Sequence, residues 1–177
     1  MRSSGLLIFI GSLLLSAAHA QAGISYTRDQ LDSIRWEYTY DVKNDLLTTP
    51  IEEFSIYFNH GQYQDLQVTS PLSGWSEIAI NPDIILGSPQ PGFYDALTLG
   101  SGIAPGANQG GFSVSFDWLG IGLPGNQAFD LLDPTTFETI GFGETQLTSV
   151  PIVPEPSAVL LMATGLLPLT GRLRRKR

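Results

Sequence analysis

Ile34-Arg35-Trp36-Glu37-Tyr38-Thr39-Tyr40-Asp41-Val42 alternates apolar and polar side chains without a break. Ile34, Trp36, Tyr38, Tyr40 and Val42 fall on one face; Arg35, Glu37, Thr39 and Asp41 fall on the other. A period of two is strand geometry, and one apolar face backed by one polar face predicts a half-buried antiparallel strand. Asn44-Asp45 then supplies a turn.

The same pattern extends outward. Phe54, Ile56 and Phe58 alternate with Ser55 and Tyr57, and Asn59-His60-Gly61 closes that strand. Leu66 and Val68 suggest a third strand, and Phe112-Ser113-Val114-Ser115-Phe116-Asp117-Trp118 alternates throughout. Weaker strand candidates lie at 75–80, 93–99, 127–132 and 136–142. Turns at Asn81-Pro82, Pro91-Gly92, Pro105-Gly106, Pro124-Gly125 and Asp133-Pro134 separate them. No stretch between the termini is amphipathic over helical length. Seven or eight short strands with Gly/Pro turns predict an all-β fold, a single antiparallel β-sandwich over residues 21–150.

The chain has 177 residues, enough for one domain, and no cysteine, so burial alone must hold it together. Charge is very uneven. Between Gln21 and Pro154 stand sixteen acidic residues and three basic ones (Arg28, Arg35, Lys43), a balance of −13. That field opposes nucleic-acid binding.

Both termini differ from the body. Arg2, an apolar run from Gly5 to Ala18, and the small-x-small triplet Ala18-His19-Ala20 read as a secretory signal peptide at 1–20, cut after Ala20 by signal peptidase. A single N-terminal membrane anchor is the alternative. At the other end, Ser157–Gly171 is an apolar run that as a helix spans roughly 23 Å, marginal for a bilayer core of about 30 Å. Arg172, Arg174, Arg175, Lys176 and Arg177 follow, a stop that stays cytoplasmic by the positive-inside rule. Pro154 and Pro156 keep the preceding chain extended, and Ser157 is a good N-cap with Glu155 near the positive end of the helix.

Pro154-Glu155-Pro156, the short apolar run and the Arg-rich end together resemble the PEP-CTERM sorting signal of Gram-negative bacteria, over residues 151–177. The resemblance implies recognition by exosortase, cleavage near Pro154-Glu155-Pro156, transient anchoring in the inner membrane through 157–171, and delivery to the cell surface or an exopolysaccharide matrix. A plain C-terminal anchor is the simpler alternative. Leu167-Pro168-Leu169-Thr170-Gly171 matches a pattern that resembles a sortase site, but it stands at the inner end of the apolar run, out of reach of an enzyme acting outside.

The body loosely resembles immunoglobulin-like bacterial surface domains. The residues concerned are Tyr38 to Asn44 with its Val-x-Asn ending, Ile51…Phe54, and Ile103-Ala104-Pro105-Gly106 before Phe112–Phe116. The resemblance bears on fold and not on function.

Catalytic signals are few. His60, the one histidine left after signal cleavage, sits in a turn, and no Gly-x-Ser-x-Gly accompanies it. Sixteen acids could supply a glycosidase pair, yet no pair is singled out. Asp41, Asn44 and Asp45, or Asp130 and Asp133, are candidate calcium ligands without an EF-hand loop. Gly100–Gly111 is glycine-rich but lacks the Lys-Ser/Thr of a phosphate loop, and reads as a hairpin loop. Trp36 and Trp118 lie on apolar faces and read as core. Trp75, between Ser73-Gly74 and Ser76-Glu77, has a loop-like setting and is the candidate ligand contact. The expectation is a non-catalytic exported protein with no cofactor and no metal, associated with exopolysaccharide. A carbohydrate-binding or adhesive module is the first alternative and a small hydrolase the second.

Overall fold

The computed structural model describes residues 23–148. The readings of 1–20 with Ala18 and Ala20, of Pro154-Glu155-Pro156, of 157–171 and of the basic tail lie outside the described residues.

The described chain is all-β, with no helix in it, and hence none that is long and apolar enough to cross a membrane. Its strands are β1 (Gly23–Gln30), β2 (Arg35–Lys43), β3 (Glu53–Phe58), β4 (Tyr63–Val68), β5 (Trp75–Ile80), β6 (Asp83–Ile85), β7 (Ser88–Gln90), β8 (Gly92–Thr98), β9 (Asn108–Trp118), β10 (Ala128–Leu132), β11 (Thr139–Glu144) and β12 (Gln146–Leu147). One five-stranded sheet has the order β12-β1-β2-β9-β4 and a second the order β11-β10-β3-β8-β5. Pairing is antiparallel except that β12 lies parallel to β1. β6 and β7 form a separate two-stranded ribbon.

The opening stretch is β2, the strand beside β9 at the centre of the first sheet. Trp36, Tyr38, Tyr40 and Val42 are buried as the alternation requires. Ile34 is the exception: it precedes the strand, lies in the β1–β2 turn and is exposed. The two sheets meet through aromatic rings. Tyr40 of the first stacks on Tyr94 of the second at 6.2 Å between centroids, and Phe112 meets Phe54 edge to face at 4.9 Å. Phe116 and Phe58 lie 5.6 Å apart. Each such side chain taken from water contributes roughly 1.5–3 kcal/mol, which suits a chain that has no disulfide to lean on.

The sheets are also stitched by polar groups. The last strands change sheet at Thr145, which is wholly buried between β11 and β12. Its amide donates to the Gln127 carbonyl at 2.8 Å and its hydroxyl to Gln127 Oε1 at 3.1 Å. At the other edge the Leu66 amide donates to Asn81 Oδ1 at 2.8 Å, tying β4 to the end of β5. Gly143 and Gly141 face inward on β11 because the strand passes close over the core. A Cβ on Gly143 would lie 2.9 Å from Phe129 Cζ.

Candidate functional site

The residues that stand out chemically lie on the outer face of the second sheet. In β3, Phe54, Ile56 and Phe58 point inward, so Glu53, Ser55 and Tyr57 point out. In β8, Tyr94 and Ala96 point inward, so Phe93, Asp95 and Leu97 point out. Ser55 is paired with Asp95 on one side and with Asp130 of β10 on the other. Ile78 of β5 faces Asp95, and Phe142 of β11 faces Asp130. A row therefore crosses the sheet: Phe142, Asp130, Ser55, Asp95, Ile78. Its two outer members are exposed, and its middle lies among half-buried Tyr57, Phe93, Leu97 and Leu132.

Carboxylates in such surroundings hold their protons more tightly. Burial raises the Asp95 carboxyl above its ordinary value, against a lowering hydrogen bond from the Ser55 hydroxyl at 2.6 Å. Burial, with the Asp95 charge second, raises Glu53. Glu53 Oε2 is a buried acceptor with no hydrogen-bond partner. Tyr57 donates to Asp130 Oδ2 at 3.0 Å; burial and that carboxylate hold its proton, pushing its pKa up to about 12. Asp95 and Asp130 flank β3, two strand spacings apart, about 10 Å. Glu53 and Asp95 are diagonal neighbours on adjacent strands, whose separation is about 7–8 Å. The row is open at both sides, where Ile78 and Phe142 meet solvent. Depressions of about 190 Å³ beside Asp41, Lys43 and Gln146 and about 380 Å³ beside Glu52, Asp133 and Ile140 lie elsewhere.

The residues singled out by sequence are dispersed. Trp75 opens β5 rather than sitting in a loop, and its side chain points to the inner face. It is half-buried, with its ring edge-on to Phe112 at 5.0 Å and 6.1 Å from Phe54. It thus lies on the opposite side of the sheet from the carboxylate row. Trp36 is buried; Trp118 is half-buried against Tyr63 at 4.9 Å. His60 is exposed in its turn. Asn108–Gly111 of the glycine-rich stretch are strand rather than loop.

The candidate cation ligands are engaged elsewhere. Asn44 is fully buried with all its side-chain groups used inside the protein. Asp45 pairs with Lys43 at 2.8 Å and Asp41 accepts from Asn108. Asp133 Oδ1 accepts from the Thr135 and Thr136 amides, and Asp130 from Tyr57. Among the described residues no three His, Cys, Asp or Glu side chains converge as a metal site. Glu53, Ser55 and Asp95 were missed because no motif carries them. Their signal is a lone polar residue at the outward position of a strand that is apolar on both faces, as in Phe93-Tyr94-Asp95-Ala96-Leu97.

No family model matches the chain, and no curated protein matches it. Among solved structures it is similar to a GH20 exo β-N-acetylglucosaminidase from Vibrio harveyi in complex with N-acetylglucosamine, with 9% identity over 73% of this chain and a TM-score of 0.35. The match spans 18% of that enzyme's length.

Proposed function

We propose that this chain is the precursor of an exported, exosortase-processed surface or extracellular-matrix protein, non-catalytic and associated with exopolysaccharide. One observation carries the reading: Pro154-Glu155-Pro156, a short apolar run and five basic residues follow a β-domain whose last strand among the described residues is β12. In this reading signal peptidase removes residues 1–20 and the general export machinery carries the body across the inner membrane. Residues 157–171 then hold it there until exosortase cuts near Glu155. The mature part is an Ig-like β-sandwich. Two facing sheets joined by aromatic contacts support that, as does the meeting of Asn44 with the Ile103–Ala107 turn.

Intact mass of the protein from cell surface and medium, with and without a working exosortase, tests the reading. A chain starting near Gln21 and ending near Pro154–Pro156, seen only with the enzyme, is expected. A mass retaining Ser157–Arg177 in both strains overturns it.

A second reading, a carbohydrate-binding or adhesive module, is favoured by the outer-face row. Tyr57, Phe93 and Phe142 offer rings beside carboxylate acceptors, an arrangement suited to sugar rings and hydroxyls. Retardation of the protein in polysaccharide-containing gels, lost in Asp95→Asn with Phe142→Ala, checks it. Unchanged retardation rules this face out.

A further inference from the structure

The two ends of the domain are unlike. β1 starts at Gly23 at one end and reaches Gln30 at the other. β12 runs parallel to it, with Ser25 facing Gln146 and Tyr26 facing Leu147, and the Thr148 amide donates to the Tyr26 carbonyl at 2.8 Å. The described chain therefore leaves the domain heading toward the end that holds the β1–β2 turn. The β9–β10 crossover begins at that same end. The Trp118 amide donates to the Ile34 carbonyl at 2.8 Å, and the Leu119 amide to the Gln62 carbonyl of the β3–β4 turn at 2.9 Å.

Five aliphatic side chains stand exposed there: Leu31 and Ile34 from the β1–β2 turn, and Leu119, Ile121 and Leu123 from the crossover. Ile121 is wholly exposed. The crossover that presents them is held. Arg28 donates to the Pro124 carbonyl at 2.7 Å, Trp118 Nε1 to the Gly122 carbonyl at 2.9 Å, and Tyr26 to Asn126 Oδ1 at 3.1 Å. The β6–β7 ribbon springs from the same end of the second sheet, where Ile80 faces Phe93, and it exposes Ile84, Ile85 and Leu86. Leu86 is wholly exposed at φ 52, a backbone region unfavourable to a leucine. The opposite end exposes Leu46, Leu99 and Phe137, one from each of three loops. Apolar residues clustered on loops at one end of a water-facing domain mark a contact surface.

We infer that this apolar end rests on the lipid surface of the bilayer that receives residues 157–171. The inference depends on the membrane reading proposed above. Length supports it: Ser157 follows Thr148 by nine residues, which reach at most about 30 Å when extended. β12 points the chain at this end, so the direct path to the apolar run brings this end to the bilayer. Aliphatic side chains at that level bury themselves at the headgroup boundary. The precursor is then held by two contacts, its apolar run and this end, which fixes how Val153–Ser157 is presented to a membrane-bound protease.

The test uses the full chain in phosphatidylcholine vesicles. With no native cysteine, single labelling sites are free of background. Fluorophores are placed at Leu160→Cys, Ile121→Cys and Phe137→Cys, and quencher-bearing lipids are added. Loss of emission at Leu160→Cys and Ile121→Cys, with none at Phe137→Cys, is expected. Quenching at Leu160→Cys while Ile121→Cys behaves like Phe137→Cys leaves the membrane reading standing and overturns this inference. No quenching at Leu160→Cys overturns both. A blue-shifted but unquenched label at Ile121→Cys means a second copy covers the end, which also overturns it. Leu119→Ser with Leu123→Ser, both exposed, provides a further check: quenching at Ile121→Cys is expected to fall while that at Leu160→Cys holds.

Discussion

The Asn44 side-chain amide reaches the Ile103 carbonyl, fifty-nine residues away, at 2.9 Å. The same nitrogen donates to the Thr49 carbonyl at 2.9 Å, and Asn44 Oδ1 accepts from the Leu47 amide at 3.2 Å. One buried side chain thus shapes the β2–β3 crossing and fastens it to the β8–β9 crossing. Asn44→Ala leaves the Thr49 carbonyl and the Leu47 amide without this partner and takes one of two donors from the Ile103 carbonyl, which keeps the Ile51 amide. At 1–3 kcal/mol for each group not rescued by water, a loss of about 2–4 kcal/mol is expected. A denaturant midpoint within error of wild type refutes this role.

Gly102 stands against the same crossing. Its φ is +67°, and a Cβ built there would lie 2.4 Å from the Ile51 carbonyl oxygen. Gly61 also has a positive φ, +81°, but open space around it. Gly61→Ala should cost only the backbone preference, roughly 1 kcal/mol. Gly102→Ala must in addition push apart the Ile51–Ile103 bridge, so a loss of at least about 2–3 kcal/mol is expected. Equal melting temperatures for the two variants contradict the account.

Much of this was legible in advance. β2 was readable because its faces differ sharply: Trp36, Tyr38, Tyr40 and Val42 against Arg35, Glu37, Thr39 and Asp41. β1 was not, since Ile24 and Tyr26 alone mark its inner face and two apolar residues are too few to show a period. β9 is longer than its alternation suggests. A bulge opposite Tyr40/Asp41 lets Gly110 and Gly111 continue the strand, with Gly111 at φ +98°. Ser113 and Ser115 look like a solvent face but are buried, because Thr39 contacts the Ser113 hydroxyl and the Arg35 guanidinium covers that of Ser115. The carboxylate row was hidden for a different reason. Glu53, Asp95 and Asp130 are far apart in sequence, and only strand order places β3 between β8 and β10.

That row sets a pH dependence. The Glu53 and Asp95 carboxyls have folded values raised above the ordinary 4.5 and 3.8, by burial first. Folding therefore favours their protonated forms. This stabilising contribution is full below the ordinary values and is lost as pH rises through the raised ones. Asp32 and Asp133 act oppositely, since backbone hydrogen bonds lower them from 3.8, and their contribution is lost only in stronger acid. Stability should rise as pH falls through the raised Glu53 and Asp95 values toward the ordinary 4.5 and 3.8, then fall again in stronger acid. Glu53→Gln with Asp95→Asn should flatten the rise and leave the acid decline. A rise that persists in the double variant assigns it to other groups.

Gln127 is the polar centre of the end that carries the β9–β10 crossover, and its loss tests whether the crossover is held from within. Oε1 accepts from the Tyr40 hydroxyl at 3.3 Å and from Thr145, while Nε2 donates to Tyr63 at 3.1 Å and to the Gly125 carbonyl. Burial raises the pKa of both tyrosines, so their hydroxyls stay protonated across the working range, Tyr40 as donor to Gln127 and Tyr63 as acceptor from it. Gln127→Leu keeps the volume but removes every one of those partners. The buried Tyr40 and Thr145 hydroxyls then lack an acceptor, while the Gly125 carbonyl keeps its bond from the Tyr38 hydroxyl, and a cost of about 2–4 kcal/mol follows. Gln127→Glu separates shape from chemistry. It keeps Oε1 as acceptor yet loses the donor to Gly125, and it places a charge in a buried site, so its penalty should exceed that of Gln127→Leu at neutral pH and shrink in acid. Amide exchange at Gly125 and Thr145 reads the local effect. If it stays at wild-type rates in both variants, the crossover is held by Arg28, Trp118, Tyr26 and Tyr38 without Gln127.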